Sequence, residues 1–168
     1  MATRAEYLDA LASRIMPLIC HVGPVEAAVT LAHCLARNQD LALVVSLGSA
    51  GSAKLEQAEI YQVSEVSYRD MDASPLGFAK GETPFLNFPA KVDLGNRIAD
   101  LRQASISTGA NMVDAEAYAP IAAEMVDMET WSIMRACYQF NSPLIGLRGI
   151  SDGAHPLEEY SDWTRYLQ

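Results

Sequence analysis

Two short runs without a polar side chain, Leu41-Ala42-Leu43-Val44-Val45 and Leu144-Ile145-Gly146-Leu147, most constrain what this chain can fold into. A strand with one wet face alternates apolar and polar residues. One that does not alternate needs cover on both faces, as in the middle of a largely parallel sheet. Each run leads into a polar segment with glycine, Gly48-Ser49-Ala50-Gly51 after the first and Gly149-Ile150-Ser151-Asp152 after the second. Ligands of such sheets bind beyond the carboxyl ends of the strands, so the two segments are expected to meet at one sheet edge.

The rest of the chain alternates in the same sense. The apolar stretch 17–22, closed by Gly23-Pro24, predicts a strand and then a helix over 25–37 with Pro24 in its first turn. Val25, Val29, Ala32 and Ala36 make its apolar face. Residues 59–68 alternate through Ile60, Val63 and Val66, predicting a more exposed strand. Segment 69–90 carries Pro75, Gly77, Gly81, Pro84 and Pro89 and reads as an irregular, mobile loop. A short strand over 106–108 and a helix over 114–125, interrupted by Pro120, come next. Trp131, Met134, Cys137 and Tyr138 recur at helical spacing over 127–140, and Asn141-Ser142-Pro143 ends that helix. The pattern predicts an α/β fold: a mixed, largely parallel central sheet with helices on both faces. With 168 residues, half of them hydrophobic, the chain suits one domain over 1–168 and is too short for two ordinary ones.

Composition excludes several functions. The net charge is −9, with no cluster of five lysines or arginines, so the electrostatic footprint of a nucleic-acid or anionic-membrane binder is missing. No apolar run reaches the length of about 18 residues that spans a bilayer, and no secretory leader pattern opens the chain, which predicts a cytoplasmic protein. Cys20, Cys34 and Cys137 lack metal-ligand spacing and read as reduced core thiols; His21, His33 and His155 share no helix face. No metal or cofactor is expected.

Three segments could carry chemistry. Gly48 and Gly51 let backbone N–H groups approach a ligand and Ser49 adds a hydroxyl, though the same residues also make an ordinary turn. Asp127 and Glu129 either cap the following helix or bind a ligand. A carboxylate there can accept two hydrogen bonds from a vicinal diol such as a ribose. Asp152, at the mouth of a buried sheet, is either the cap of the next turn or a partly desolvated acid able to donate a proton near neutral pH. Arg148 at the same edge needs an anionic partner if buried, and a structural ion pair is its default.

Four ordered segments resemble the nucleoside phosphorylase and nucleosidase family, most closely its methylthioadenosine/S-adenosylhomocysteine nucleosidase branch. They are Gly48-Ser49-Ala50-Gly51, Thr108-Gly109-Ala110-Asn111-Met112-Val113, Val126-Asp127-Met128-Glu129 and Arg148-Gly149-Ile150-Ser151-Asp152. The resemblance runs from about 18 to 167 and implies a nucleoside phosphorylase-like fold that is short at both ends. It implies that Asp152 protonates the departing purine, with Ser151 holding the Asp side chain or the base. Glu129 would bind the ribose hydroxyls, with Met128 packed on the sugar. Met112 stands where the family often has an aromatic residue against the base, Val113 would meet the base through its backbone, and Ala110 replaces the family's usual acid. Glu6 matches the water-activating glutamate, although no strand precedes it. Trp163, in a segment resembling the start of the family's last helix, would wall the pocket for the 5′ substituent.

The chemistry so implied is hydrolysis of the N-ribosidic bond of a small-molecule purine nucleoside. A phosphorylase would instead need cations and donors for phosphate, for which Arg148 and the Gly48 segment are the candidates. A third reading is an inactive family member that binds nucleosides. The resemblance also implies a homodimer in which Phe78, Phe85 and Leu86 of the 69–90 loop meet the other subunit.

Overall fold

The computed structural model describes residues 1–153 and Trp163. After a 3-10 turn at Arg4–Glu6 and one helical turn, α1 (Asp9–Ala12), come helix α2 (Pro24–Arg37) and strands β1 (Val44–Gly51) and β2 (Ile60–Tyr68). They are followed by β3 (Lys91–Asp93), β4 (Gln103–Thr108), β5 (Met125–Asp127), helix α3 (Thr130–Gln139) and β6 (Leu144–Asp152). The strands lie in the order β3-β2-β4-β5-β1-β6, and β6 also pairs with β2, so five of the six close into a ring. β1/β6, β2/β4 and β4/β5 are parallel, whereas β2/β3, β1/β5 and β2/β6 are antiparallel. The sheet is therefore mixed and central, as expected. Of the two long helices, α2 packs on α3, and α3 packs on the strands.

Ring closure explains where the sequence reading and the structure part. β2 is an interior strand rather than an exposed one, because β6 and β3 share one of its edges while β4 takes the other. A register shift between Val63 and Val66 brings both into the core, each wholly buried. β1 begins at Val44, opposite Leu144, so Leu41 and Leu43 are left 43% and 41% exposed outside the ladder. Residues 17–22 form no strand; they contribute only a local pairing in which Met1 N–H donates to Leu18 and Cys20 N–H donates to Met1. Residues 114–125 make a single 3-10 turn, Ala115–Tyr118, because Pro120 stops propagation and Met125–Asp127 is taken up by β4.

α2 forms where expected but buries Ala27, Leu31 and Leu35, leaving Val25 and Val29 more than 60% exposed. In α3 the helical spacing of Trp131, Met134 and Cys137 does mark the buried face. That helix starts three residues later than expected, since Asp127 belongs to β5. The core joins Leu31 and Leu35 to Val63, Val66, Ile106, Met125, Trp131, Met134 and Ile150. All three cysteines are free, and burial pushes the Cys137 thiol up to about 12. No helix among the described residues is long and apolar enough to cross a membrane.

Candidate active site

β1 and β6 run side by side to their carboxyl ends, in register from Val44↔Leu144 to Ala50↔Ile150, after which Gly51 pairs with Asp152. Ser151 is the extra residue. Successive strand residues ordinarily face opposite ways, and a bulge overrides that alternation. Here Ser151 and Asp152 turn toward the same cavity, and Ser151 Oγ donates to Asp152 Oδ1 at 2.7 Å. Burial pushes the Asp152 carboxyl above its ordinary value, with the Ser151 hydrogen bond opposing. Gly51, across the bulge, has no side chain for a steric reason. A Cβ there would stand 3.2 and 3.3 Å from the two Asp152 carboxylate oxygens and would collide with the Tyr118 hydroxyl.

The cavity at this end measures about 470 Å³, within the range of small-molecule sites. Its wall includes Glu6, Ser49, Ala50, Gly51, Met112, Val113, Asp127, Met128, Glu129, Ser151, Asp152 and Trp163. The structure thus assembles almost every residue singled out from the sequence. Arg148 is the exception. It is 3% exposed and lies behind the wall, donating to Asp127 Oδ2 at 3.1 Å, Thr130 Oγ1 at 2.6 Å and Ser46 Oγ at 3.1 Å. Its place is the structural ion pair. Asp127 is committed in the same way: Oδ1 accepts from Thr108 Oγ1 at 2.7 Å, and Oδ2 accepts from Thr130 N–H at 2.9 Å. It anchors the start of α3 from the preceding strand, so the capping reading describes its carboxylate.

Glu129, at the N-cap of α3, faces the cavity. Its Oε1 accepts the Gly23 N–H at 2.8 Å, an approach made from a φ of 98° that suits glycine. Burial first, and the neighbouring Asp127 charge second, push the Glu129 carboxyl up to about 7, against the Gly23 N–H and Arg148. Glu6 is held without a preceding strand. The 3-10 turn Arg4–Glu6 is closed by a capping box with Thr3, and Glu6 Oε1 accepts Ser49 N–H at 2.8 Å and Ser49 Oγ–H at 2.9 Å. Met112 is 61% exposed at the cavity mouth, whereas Val113 is buried.

Two residues went unrecognised in the sequence. Arg69 had been read as the start of an irregular loop, yet it lines the cavity and donates to the carbonyls of Ser107 (2.5 Å), Asp127 (3.0 Å) and Asn111 (2.6 Å). It thereby ties the end of β4 and the segment after it to the end of β5. The signal was available: an arginine directly after a strand faces the same demand for partners as Arg148. The Tyr118 hydroxyl is buried and has no hydrogen-bond partner among the described residues, and burial and the Asp152 charge push its pKa up. Its approach depends on the 3-10 turn that the sequence suggested was helix. His155 and segment 161–167, Trp163 apart, lie outside the described residues.

Residues 10–165 match the model of the phosphorylase superfamily. The chain belongs to that superfamily. Over 151 residues it is 32% identical to the 5′-methylthioadenosine/S-adenosylhomocysteine nucleosidase of Haemophilus influenzae strain PittEE, covering 79% of this chain and 65% of that protein. The nucleosidases of two further H. influenzae strains are matched over 56% of their length, so the chain spans just over half to two thirds of these relatives. The crystal structure of the Colwellia psychrerythraea nucleosidase in complex with adenine superposes with a TM-score of 0.74 at 29% identity, over 89% of this chain and 69% of that one. Futalosine hydrolase of Helicobacter pylori shares the superfamily fold at a TM-score of 0.82 and 19% identity, over 99% of this chain and 88% of that one. The resemblance to the nucleoside phosphorylase and nucleosidase family and the mixed central sheet are thereby borne out.

Proposed function

We propose that this chain hydrolyses the N-ribosidic bond of purine nucleosides such as methylthioadenosine or S-adenosylhomocysteine, releasing the free base. The observation that carries the reading is the Ser151–Asp152 pair at the bulge of β6. It presents a carboxyl with raised proton affinity to a cavity shared with two further carboxylates, Glu129 and Glu6. Asp152 donates its proton to the departing base, so the C–N bond breaks without forming a purine anion. The ribosyl cation left behind is flanked by Glu129, which accepts from the ribose hydroxyls, and by Glu6, on whose side the water attacks. Met128 packs on the sugar, Met112 and Val113 border the base, and the Trp163 ring walls the 5′ substituent. The nucleosidase relatives, one of them crystallised with adenine, support the substrate class.

Hydrolysis is favoured over phosphorolysis by the state of the cations. Among the described residues the one arginine in the cavity wall, Arg69, has both terminal nitrogens engaged by backbone carbonyls, and Arg148 lies behind the wall. We extend the proposal to a homodimer, supported by the exposed apolar residues Phe85 (93%) and Leu86 (45%) of the 69–90 loop. The test is release of free base from methylthioadenosine, S-adenosylhomocysteine, adenosine and inosine, with and without phosphate. Release independent of phosphate is expected. Asp152→Asn should then lose at least about 10²–10³ in kcat while still binding nucleoside. Turnover that requires phosphate would replace the hydrolase reading with a phosphorylase, and silence on all four would replace it with a binding protein.

A further inference from the structure

Glu6 has no free acceptor position to offer a water molecule. Its Oε1 takes Ser49 N–H (2.8 Å) and Ser49 Oγ–H (2.9 Å), and its Oε2 takes the N–H groups of Ala2 (3.2 Å) and Thr3 (3.3 Å). A carboxylate has about four lone-pair directions, and here all four are engaged. Ser49 Oγ is differently placed. A hydroxyl carries one proton and two lone pairs; the proton goes to Glu6, and one lone pair accepts Trp163 Nε1–H at 3.0 Å. One lone pair remains, on a residue that lines the cavity. The indole N–H is only a donor, so its presence forces the Ser49 proton away from Trp163 and toward Glu6.

Resting on the hydrolytic reading, we propose that Ser49 relays the proton of the attacking water to Glu6, with Trp163 as the positioning residue that fixes the serine hydroxyl for the transfer. An O–H bond of the water breaks as its oxygen bonds to the anomeric carbon. The water proton passes to Ser49 Oγ while the serine's own proton passes to Glu6 Oε1. The electron pair of the C–N bond leaves with the base, which takes the proton of Asp152. Glu6 then returns its proton, and Asp152 regains one, through exchange with solvent. Trp163 thus has a chemical role distinct from walling the 5′ substituent, and the two are separable because phenylalanine keeps the ring and removes the N–H.

The chain has two tryptophans, so a ¹⁵N-indole spectrum of the full chain contains two N–H resonances, and Trp163→Phe assigns them. Ser49→Ala should move the Trp163 resonance upfield and speed its exchange with water. In base-release assays Trp163→Phe should lower kcat by about tenfold, the worth of one hydrogen bond, with KM within about twofold. Ser49→Ala should cost about 10²-fold in kcat, and Ser49→Thr, which restores the hydroxyl, should recover most of it. A Trp163 resonance indifferent to Ser49→Ala, a Trp163→Phe variant altered in KM alone, or a Ser49→Ala variant with kcat close to wild type would each overturn the relay. A wild-type chain that releases no base overturns the hydrolytic reading and the relay with it, while the resonance still decides whether the Trp163–Ser49 bond exists.

Discussion

Replacing Glu129 by glutamine removes an ionisation that the fold disfavours, and the variant is expected to be more stable than the wild type in a pH-dependent way. The carboxyl is pushed from 4.5 to about 7 by burial and by Asp127. In the unfolded chain Glu129 loses its proton near the lower value, and in the folded chain near the higher one. Between them the folded state binds more protons, so the stability contributed by the protonated form, complete below about 4.5, is lost as pH rises to about 7 and stays lost above it. At ~1.4 kcal/mol per tenfold in proton affinity the full cost is roughly 3 kcal/mol, and water at the open side of the cavity brings it to ~2 kcal/mol. Glutamine keeps an oxygen for the Gly23 N–H, so that contact is retained. Urea unfolding at a series of pH values is the assay. Glu129→Gln should match the wild type near about pH 4 and exceed it by ~2 kcal/mol near about pH 8.5. An advantage that does not change with pH, or a variant less stable at the alkaline end, would refute the placement of Glu129 as a buried acid beside Asp127.

Gly51→Ala should lower kcat for base release by more than about tenfold with little change in Tm, since the added methyl displaces the Asp152 carboxyl and the tip of Tyr118 rather than backbone. A kinetically silent Gly51→Ala would mean that the bulge tolerates a side chain. Arg69→Lys leaves a charge that cannot span three carbonyls; losing about two charge-assisted hydrogen bonds, Tm should fall by roughly 5–10 °C and KM should rise, as thermal unfolding and steady-state assays would report. Sedimentation should give a dimer that Phe85→Asp converts to monomer; a wild-type chain sedimenting as a monomer would refute the assembly.

The parts of the site written in the local sequence were legible because their chemistry is local. Glycines before an acid at a strand end, and an acid beside an apolar helix face, carry their meaning within a few residues. What the sequence hid depends on pairing partners. The apolar run at 41–45 marked a strand, but its first residue was set by Leu144, a hundred positions later, and so fell at Val44. Alternation made β2 look half-exposed, because periodicity within one segment does not count the strands that flank it. Asp127 read equally well as cap or ligand group until Arg148, Thr108 and Thr130 were seen around it. Arg69 and Tyr118 were missed for a related reason: Arg69 opens a segment read as irregular loop and Tyr118 sits in a 3-10 turn read as helix, so only three-dimensional contact brings them to the cavity.

Closure of the ring bears on the order in which the molecule is assembled. β6 is the strand that joins β1, a hundred residues earlier, to β2, and it carries Ser151 and Asp152 at its end. During synthesis the earlier strands can associate, but the gap between β1 and β2 stays open until residues 144–152 leave the ribosome. The step that seals the sheet is therefore the step that delivers the acid to the cavity. A nascent or partly unfolded chain presents Glu6, Ser49 and Glu129 without Asp152, so the hydrolysis proposed above requires β6 to be docked and is lost when β6 detaches.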